Sequence, residues 1–248
     1  MSRSEGFRFK QFYVRHDRCA MKVGTDGVLL GAWTPIDLRL DDVRCTILDI
    51  GTGSGLVALM LAQRCPEAKI DAIDIDEAAI EQAKQNFKQS AFSQQLSAYQ
   101  SSLQEWQIVP SQCTNSTLYD LIVSNPPYFQ NSLKNPDAGR QLARHTDTLR
   151  YEELIAHSAR LLNPNGQLAL ILPAEAEREV TDLAEQAGLH PARVTRVYSK
   201  VSKPAIRVLL CFQLSTIRLQ PTEDTLVLED EKGGRSAAYS ELCKEFYL

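Results

Sequence analysis

The 248-residue sequence has little that would staple or anchor it. Its six cysteines (19, 45, 65, 113, 211 and 243) lie at least 20 positions apart, and no C-x-x-C pair occurs. That excludes the usual zinc spacings and argues against a disulfide scaffold, so reduced thiols are expected. Four histidines (16, 145, 157 and 190) show no metal-ligand spacing, and no metal is expected. Long hydrophobic runs are missing too: "LVALMLA" is far short of the roughly 20 apolar residues that cross a bilayer. The first residues, "MSRSEGFRFKQF", carry charge where an export signal needs an apolar stretch. No internal repeat and no low-complexity linker breaks the chain. These absences lead to the expectation of a cytoplasmic protein with no membrane segment and no obligate protein partner.

What is present is ordinary globular composition, 44% hydrophobic and 23% charged, with a net charge of −4. The distribution of charge says more than its total. Residues 1–22 carry +4 and residues 193–207 carry +5, leaving −13 for the rest. A local basic face on an acidic protein can still bind phosphates, because salt confines the field to roughly 10 Å.

From Thr46 the sequence alternates between short apolar strands and helical periodicities. "TILDI", "AKIDAIDI", "LSAYQ", "LYDLIVS" and "QLALILP" read as strands, the last preceded by a turn at "NPNG". "SGLVALMLAQR", "EAAIEQAKQNFKQS", "LRYEELIAHSARLL" and "EAEREVTDLAEQAG" read as helices. Apolar strands alternating with helices imply a parallel sheet covered on both faces. "PARVTRVYS" and "AIRVLLCFQL" are then joined by only "KVSKP", which suits a hairpin and not a parallel crossover. The expected fold is α/β with a seven-stranded, mostly parallel sheet, its last strand antiparallel and its helices on both faces. The expected organisation is one domain over 1–248. Within it, 1–44 cover the cofactor or substrate, 45–214 form the core sheet and 215–248 are an appendage.

Two motifs carry chemistry. "LDIGTGSG" (48–55) joins the first core strand to the first core helix, and Gly51, Gly53 and Gly55 permit a tight turn and close backbone approach to a ligand. A dinucleotide fingerprint places its third glycine one residue later, and Asp49 would repel a diphosphate. Asp49 suits a ligand with positive charge. The next strand ends at Asp74, an acid positioned to accept both hydroxyls of a ribose; Asp76 caps the following helix. The second motif is "SNPPY" (124–128), where two prolines end an apolar strand. The side-chain oxygen of Asn125 and the carbonyl of Pro126 can accept the two N–H bonds of a planar amine. That turns the amine lone pair out of its conjugated plane. Pro127 helps fix the geometry, and Tyr128 offers a ring to stack on the substrate.

This combination resembles the Rossmann-like class I S-adenosylmethionine (SAM)-dependent methyltransferases over about 45–214, and it implies SAM as the cofactor. The resemblance gives Gly51, Gly53 and Gly55 the methionine end, Asp74 the ribose, and Ser102 (or Ser101) the adenine. Many relatives carry Asp where this chain has "QSSLQ". "NPPY" belongs, by resemblance, to enzymes that methylate exocyclic nitrogens of adenine, of guanine or of a glutamine amide. The basic and aromatic 48 residues before Asp49 disfavour a protein substrate, and the basic hairpin 193–207 favours a polyanion.

"FKQFYVRHDRCAMKVGTDGVLLGAW" (9–33), "KPAIRVLLCF" (203–212) and the terminal "EFYL" are similar to the bacterial tRNA1(Val) adenosine-37 N6-methyltransferases. That implies a tRNA substrate, with Lys22, Thr25 and Asp26 covering the cofactor's methionine end and Lys203 and Arg207 facing the RNA. Thr25 or Asp26 also reads as a helix cap. Lys200 belongs to the same basic hairpin. Arg140 and Arg144, with His145 as a candidate base, stand in an aperiodic loop (129–147) suited to closing over a flipped adenosine. The alternatives are a guanine-N2 methyltransferase of ribosomal RNA and an inactive RNA-binding scaffold on the same fold.

Overall fold

The computed structural model describes residues 5–19, 22–36, 45–107, 118–126, 149–217 and 220–248. Pro127, Tyr128, Arg140, Arg144, His145 and Cys113 lie outside the described residues.

A small antiparallel pair, β1 (Gly6–Arg8) and β2 (Tyr13–Arg15), precedes α1 (Thr25–Trp33). The alternating core follows: β3 (Thr46–Ile50), α2 (Leu56–Arg64), β4 (Lys69–Asp74), α3 (Glu77–Gln89), β5 (Leu96–Gln100) and β6 (Tyr119–Ser124). Then come α4 (Tyr151–Leu161), β7 (Leu162–Pro173), a 3₁₀ turn (Ala174–Ala176), α5 (Glu177–Gln186), β8 (Leu189–Tyr198) and β9 (Ala205–Leu214). The described chain closes with β10 (Thr222–Val227) and α6 (Ala237–Cys243).

The strands form one sheet in the order β10-β8-β9-β7-β6-β3-β4-β5. β9 alone runs against its neighbours, β7 and β8, as the five-residue link predicts. The sheet has eight strands where seven were expected. β10 adds in parallel beside β8, with Thr222↔Arg193 through Val227↔Tyr198 in register. β10 buries Leu226 in the core, and ion pairs accompany it: Arg193 with Asp224 at 3.0 Å and Arg196 with Glu223 at 2.9 Å. "NPNG" also departs from expectation. It lies inside β7, where the register with β6 shifts between Tyr119 and Leu121 and Asn165 takes a left-handed φ of 66°. The turn is therefore made within the strand, where five positions from Leu162 to Gln167 oppose two from Tyr119 to Leu121.

Successive residues of each strand enter opposite layers of core. Ile47, Val123, Ile171 and Cys211 pack with α1, α2 and α6, whereas Leu48, Ile122, Leu170 and Phe212 pack with α4 and α5. The two-residue period of a strand therefore builds both layers at once. α3 shows the matching helical pattern, burying Ala79, Ile80, Ala83 and Phe87 while Glu81, Lys84 and Lys88 face water. Asp76 caps α3, accepting from the Ala78 N–H at 2.9 Å. The two ends of the chain meet beside α1 and α2. The Lys10 N–H donates to the Phe246 carbonyl at 2.9 Å, and Phe9 stacks on Phe12 with centroids 4.7 Å apart.

Phe212 is fully buried at the centre of the second layer. Phe212→Ala should lower stability by about 3–5 kcal/mol, read by urea unfolding, with an unchanged m-value.

Candidate active site

β3, β4, β5, β6 and β7 are parallel, so their carboxyl ends share one edge. The strand order reverses between β3 and β6: the chain proceeds outward from β3 to β4 and β5, then returns to β6 on the other side. Such a switch point opens a crevice at the carboxyl edge, because the connections on either side leave in opposite directions. Ile50 pairs with Ser124 across it. The Ser124 hydroxyl donates to the Ile50 carbonyl at 2.9 Å, which locks the two strand ends together. Gly51 and Asn125 therefore follow on neighbouring strands, one residue beyond that lock.

The glycine turn is anchored from both sides. The N–H groups of Gly51 and Thr52 both donate to the Ile73 carbonyl of β4, at 2.9 and 3.0 Å. Gly51, Gly53 and Gly55 all have positive φ (69°, 55° and 81°), which only glycine adopts without strain. Their surroundings differ. A Cβ on Gly55 would meet the Phe87 ring at 2.4 Å, whereas one on Gly51 or Gly53 would meet no atom within 4 Å. Gly55 serves packing; Gly51 and Gly53 border open space.

Two carboxylates flank the turn. Asp49 is 1% exposed, and its Oδ2 accepts from the Thr52 hydroxyl at 2.7 Å and the Ala58 N–H at 3.2 Å. Burial pushes its carboxyl up to about 7, against the pull of those two bonds. Asp74, at the end of β4, accepts from the Gly53 N–H through Oδ2 at 2.9 Å and from the Asp76 N–H through Oδ1 at 3.0 Å. Burial raises its carboxyl as well, and the backbone donors of Asp76 and Gly53 oppose the rise. Each Asp74 oxygen retains acceptor capacity. Ile75 beside it is a large apolar residue left exposed.

These features fit SAM: an acid for the ammonium, an open glycine face for close approach, and an acid with an adjacent apolar side chain for the nucleoside. Among the described residues no group of His, Cys, Asp and Glu could hold a metal ion, and no helix is long and apolar enough to cross a membrane.

Other expected site residues have different occupations. Thr25 and Asp26 do not cap α1; the cap position is Gly24, with no side-chain bond, and both residues stand in the first turn. Asp26 instead accepts from Nε of Arg207 at 2.9 Å. Arg207, expected to face RNA, thus makes a half-buried ion pair with α1. Ser102 holds a local turn: its hydroxyl donates to Glu105 Oε2 at 3.1 Å and accepts the Glu105 N–H at 3.2 Å. Lys22 and Lys203 are exposed. Lys200 pairs with Glu229 at 3.3 Å, and Arg196 also bonds Glu177. Four of the five basic residues in 193–207 are consequently paired with carboxylates from α1, α5, β10 and the segment after it, which lie too far along the sequence for charge counting to pair them.

Sequence reasoning overlooked Cys19 and Asn86. Burial raises the Cys19 thiol to about 11, and Asp74 and Asp76 add to the effect, so the segment before α1 lies within electrostatic range of Asp74. The Asn86 amide donates to the carbonyls of Arg15 and Ser54, both at 2.8 Å, holding that segment to the glycine turn. A polar residue one position before Phe87, on the buried face of α3, was the available signal.

The fold and this crevice define a class I, SAM-dependent methyltransferase. A family model described as "Methyltransferase small domain" matches residues 37–190. Curated relatives named tRNA1(Val) (adenine(37)-N6)-methyltransferase match almost end to end. The Bacteroides fragilis protein is 46% identical over 98% of this chain and 97% of its own length. That of Aeromonas hydrophila is 43% identical over 100% and 99%. The chain belongs to the tRNA1(Val) (adenine(37)-N6)-methyltransferase family. Among solved structures, a predicted O-methyltransferase from Agrobacterium tumefaciens shares the fold, with a TM-score of 0.65 at 17% identity over 89% of this chain and 96% of that one.

The acid at the centre gives a pH signature. Asp49 has a folded value near 7 against an ordinary 3.8, so the folded state holds its proton more tightly than the unfolded chain. Its contribution to stability is fully present below about pH 4 and is lost as pH rises through 7. In thermal unfolding from pH 4.5 to 8, the ligand-free protein should lose stability that the Asp49→Asn variant does not lose. Parallel profiles for the two would show that Asp49 titrates normally.

Proposed function

We propose that this chain transfers the methyl group of SAM to the exocyclic N6 amine of an adenosine in tRNA, position 37 of tRNA1(Val), acting as one methyltransferase unit in the cytoplasm. The observation that carries the chemistry is the lock of Ser124 on Ile50, which sets Asn125 and the buried Pro126 beside the glycine turn. The names of the near-full-length relatives supply the substrate.

Gly51 and Gly53 would border the methionine part of the cofactor, Asp49 would counter its ammonium and Asp74 would accept the ribose hydroxyls. When bound, SAM supplies an electrophilic methyl group. The protein's task is then to orient a weak nucleophile. The Asn125 side-chain oxygen and the Pro126 carbonyl accept the two amine hydrogens, which draws the nitrogen lone pair out of conjugation with the ring. Proline at 126 and 127 leaves no N–H to compete at those positions. Once methylated, the nitrogen is strongly acidic and releases a proton to water, so no strong base is required. Positioning thus carries most of the rate. Tyr128 offers a stacking surface for the base, and a loop adenosine costs less to extrude than a duplex one.

Asn125→Ala should reduce kcat by about 10²–10³-fold, by analogy with loss of one oriented polar contact at a reacting centre. SAM affinity, read by calorimetry, should stay within a few-fold of wild type. Loss of SAM binding in that variant would overturn the division of roles. The substrate is tested with labelled SAM and total bacterial tRNA, ribosomal RNA and protein, followed by nucleoside mass analysis. Label is expected in N6-methyladenosine of tRNA alone; label in N2-methylguanosine of ribosomal RNA would overturn the substrate assignment.

A further inference from the structure

The hairpin between β8 and β9 has a tip whose composition contradicts its position. Residues 199–206 read "SKVSKPAI", and turns at a surface normally expose polar residues. Here Val201 is 81% exposed, Pro204 and Ile206 are also exposed, and Lys200 and Lys203 stand among them.

The sheet register locates this tip. Ser124 pairs with Leu170, and Leu170 with Leu210, so the three form one row across β6, β7 and β9. From that row β9 extends five residues beyond the carboxyl edge to Ala205, which pairs with Tyr198. At about 3.3 Å per residue and 4.8 Å per strand, the root of the tip stands about 16 Å above Ser124 and about 10 Å to its side. The tip therefore projects beyond the carboxyl edge, to one side of the crevice at Asn125. Arg207 anchors its root. Its bond to Asp26 ties the hairpin root to the start of α1, and the neighbouring Gly27 packs against Leu56, the first residue after the glycine turn.

We propose that residues 199–206 form a docking surface for the unpaired loop of the RNA substrate, with Val201 against exposed base faces and Lys200 and Lys203 at the phosphates. Arg207 is a positioning residue that holds this surface beside the active site. The inference rests on the RNA reading above. Charge favours RNA as the occupant: the two ammonium groups sit on an otherwise acidic protein. The Lys200–Glu229 pair, exposed on both sides, is worth too little to withhold Lys200 from a phosphate. Single-stranded loops present unstacked base faces beside phosphates, and an apolar surface flanked by cations is complementary to both.

The test is the double variant Val201→Ser, Lys203→Ser, with Leu248→Ser as an equally exposed apolar control at the chain end. Binding of an anticodon stem-loop RNA is read by fluorescence anisotropy without SAM, and KM and kcat are read with tRNA. The tip variant should weaken stem-loop binding and raise the tRNA KM by about tenfold, with kcat within twofold and SAM affinity unchanged. Leu248→Ser should match wild type. Arg207→Ala should raise KM in the same way, and Arg207→Lys should recover part of the loss. Wild-type affinity in the tip variant, or an equal loss in Leu248→Ser, would overturn the proposal, as would a tip variant that binds RNA normally but changes its self-association. Tip-dependent RNA binding without methyl transfer would keep the docking surface and remove the N6 reading.

Discussion

The buried carboxylate of Asp49 is the constraint on which the site depends. An acid at the centre of a sheet loses its hydration, and the protein compensates with the Thr52 hydroxyl and the Ala58 N–H. Those two donors lie on opposite sides of Gly55, so satisfying one side chain fixes the turn and the first turn of α2 together. The turn can bend that sharply only because three glycines accept positive φ. The carboxyl raised by this burial gains most from a cationic ligand, which ties the cost of the structure to its proposed use.

Around that point the sheet does the positioning. Parallel strands bring their carboxyl ends to one edge, and the reversal of order between β3 and β6 opens that edge where Gly51 and Asn125 emerge. The Ser124–Ile50 bond removes the freedom the two strand ends would otherwise have. Asn86 performs the same service for the N-terminal segment, binding the Arg15 backbone and Ser54 from one amide. The parts that meet a ligand are thus held by buried polar side chains on helices and strands, while apolar contacts supply the layers above and below.

Charge is arranged in a way that composition obscures. The basic stretch 193–207 has the look of a phosphate-binding strip, yet Arg193, Arg196 and Arg207 are joined to Asp224, Glu177, Glu223 and Asp26. These pairs dock β10 and brace the hairpin. What remains for a polyanion is at the tip, where Lys203 is exposed and Lys200 has only a surface partner.

The sequence by itself determined the alternating parallel core, the reversed β9, the glycine turn with its two acids, and the strand that must stop at Asn125. Each follows from local rules: periodicity, the five-residue hairpin link, glycine's access to positive φ and proline's missing donor. Only the tertiary structure decided that β10 makes an eighth strand, that "NPNG" turns within β7, that Asp26 is bound by Arg207 instead of capping α1, and that Asn86 ties Arg15 to the glycine turn. Those outcomes depend on which distant groups come within a few ångströms of each other. Hydrogen bonds and ion pairs act at that range, and separation along a chain does not encode it.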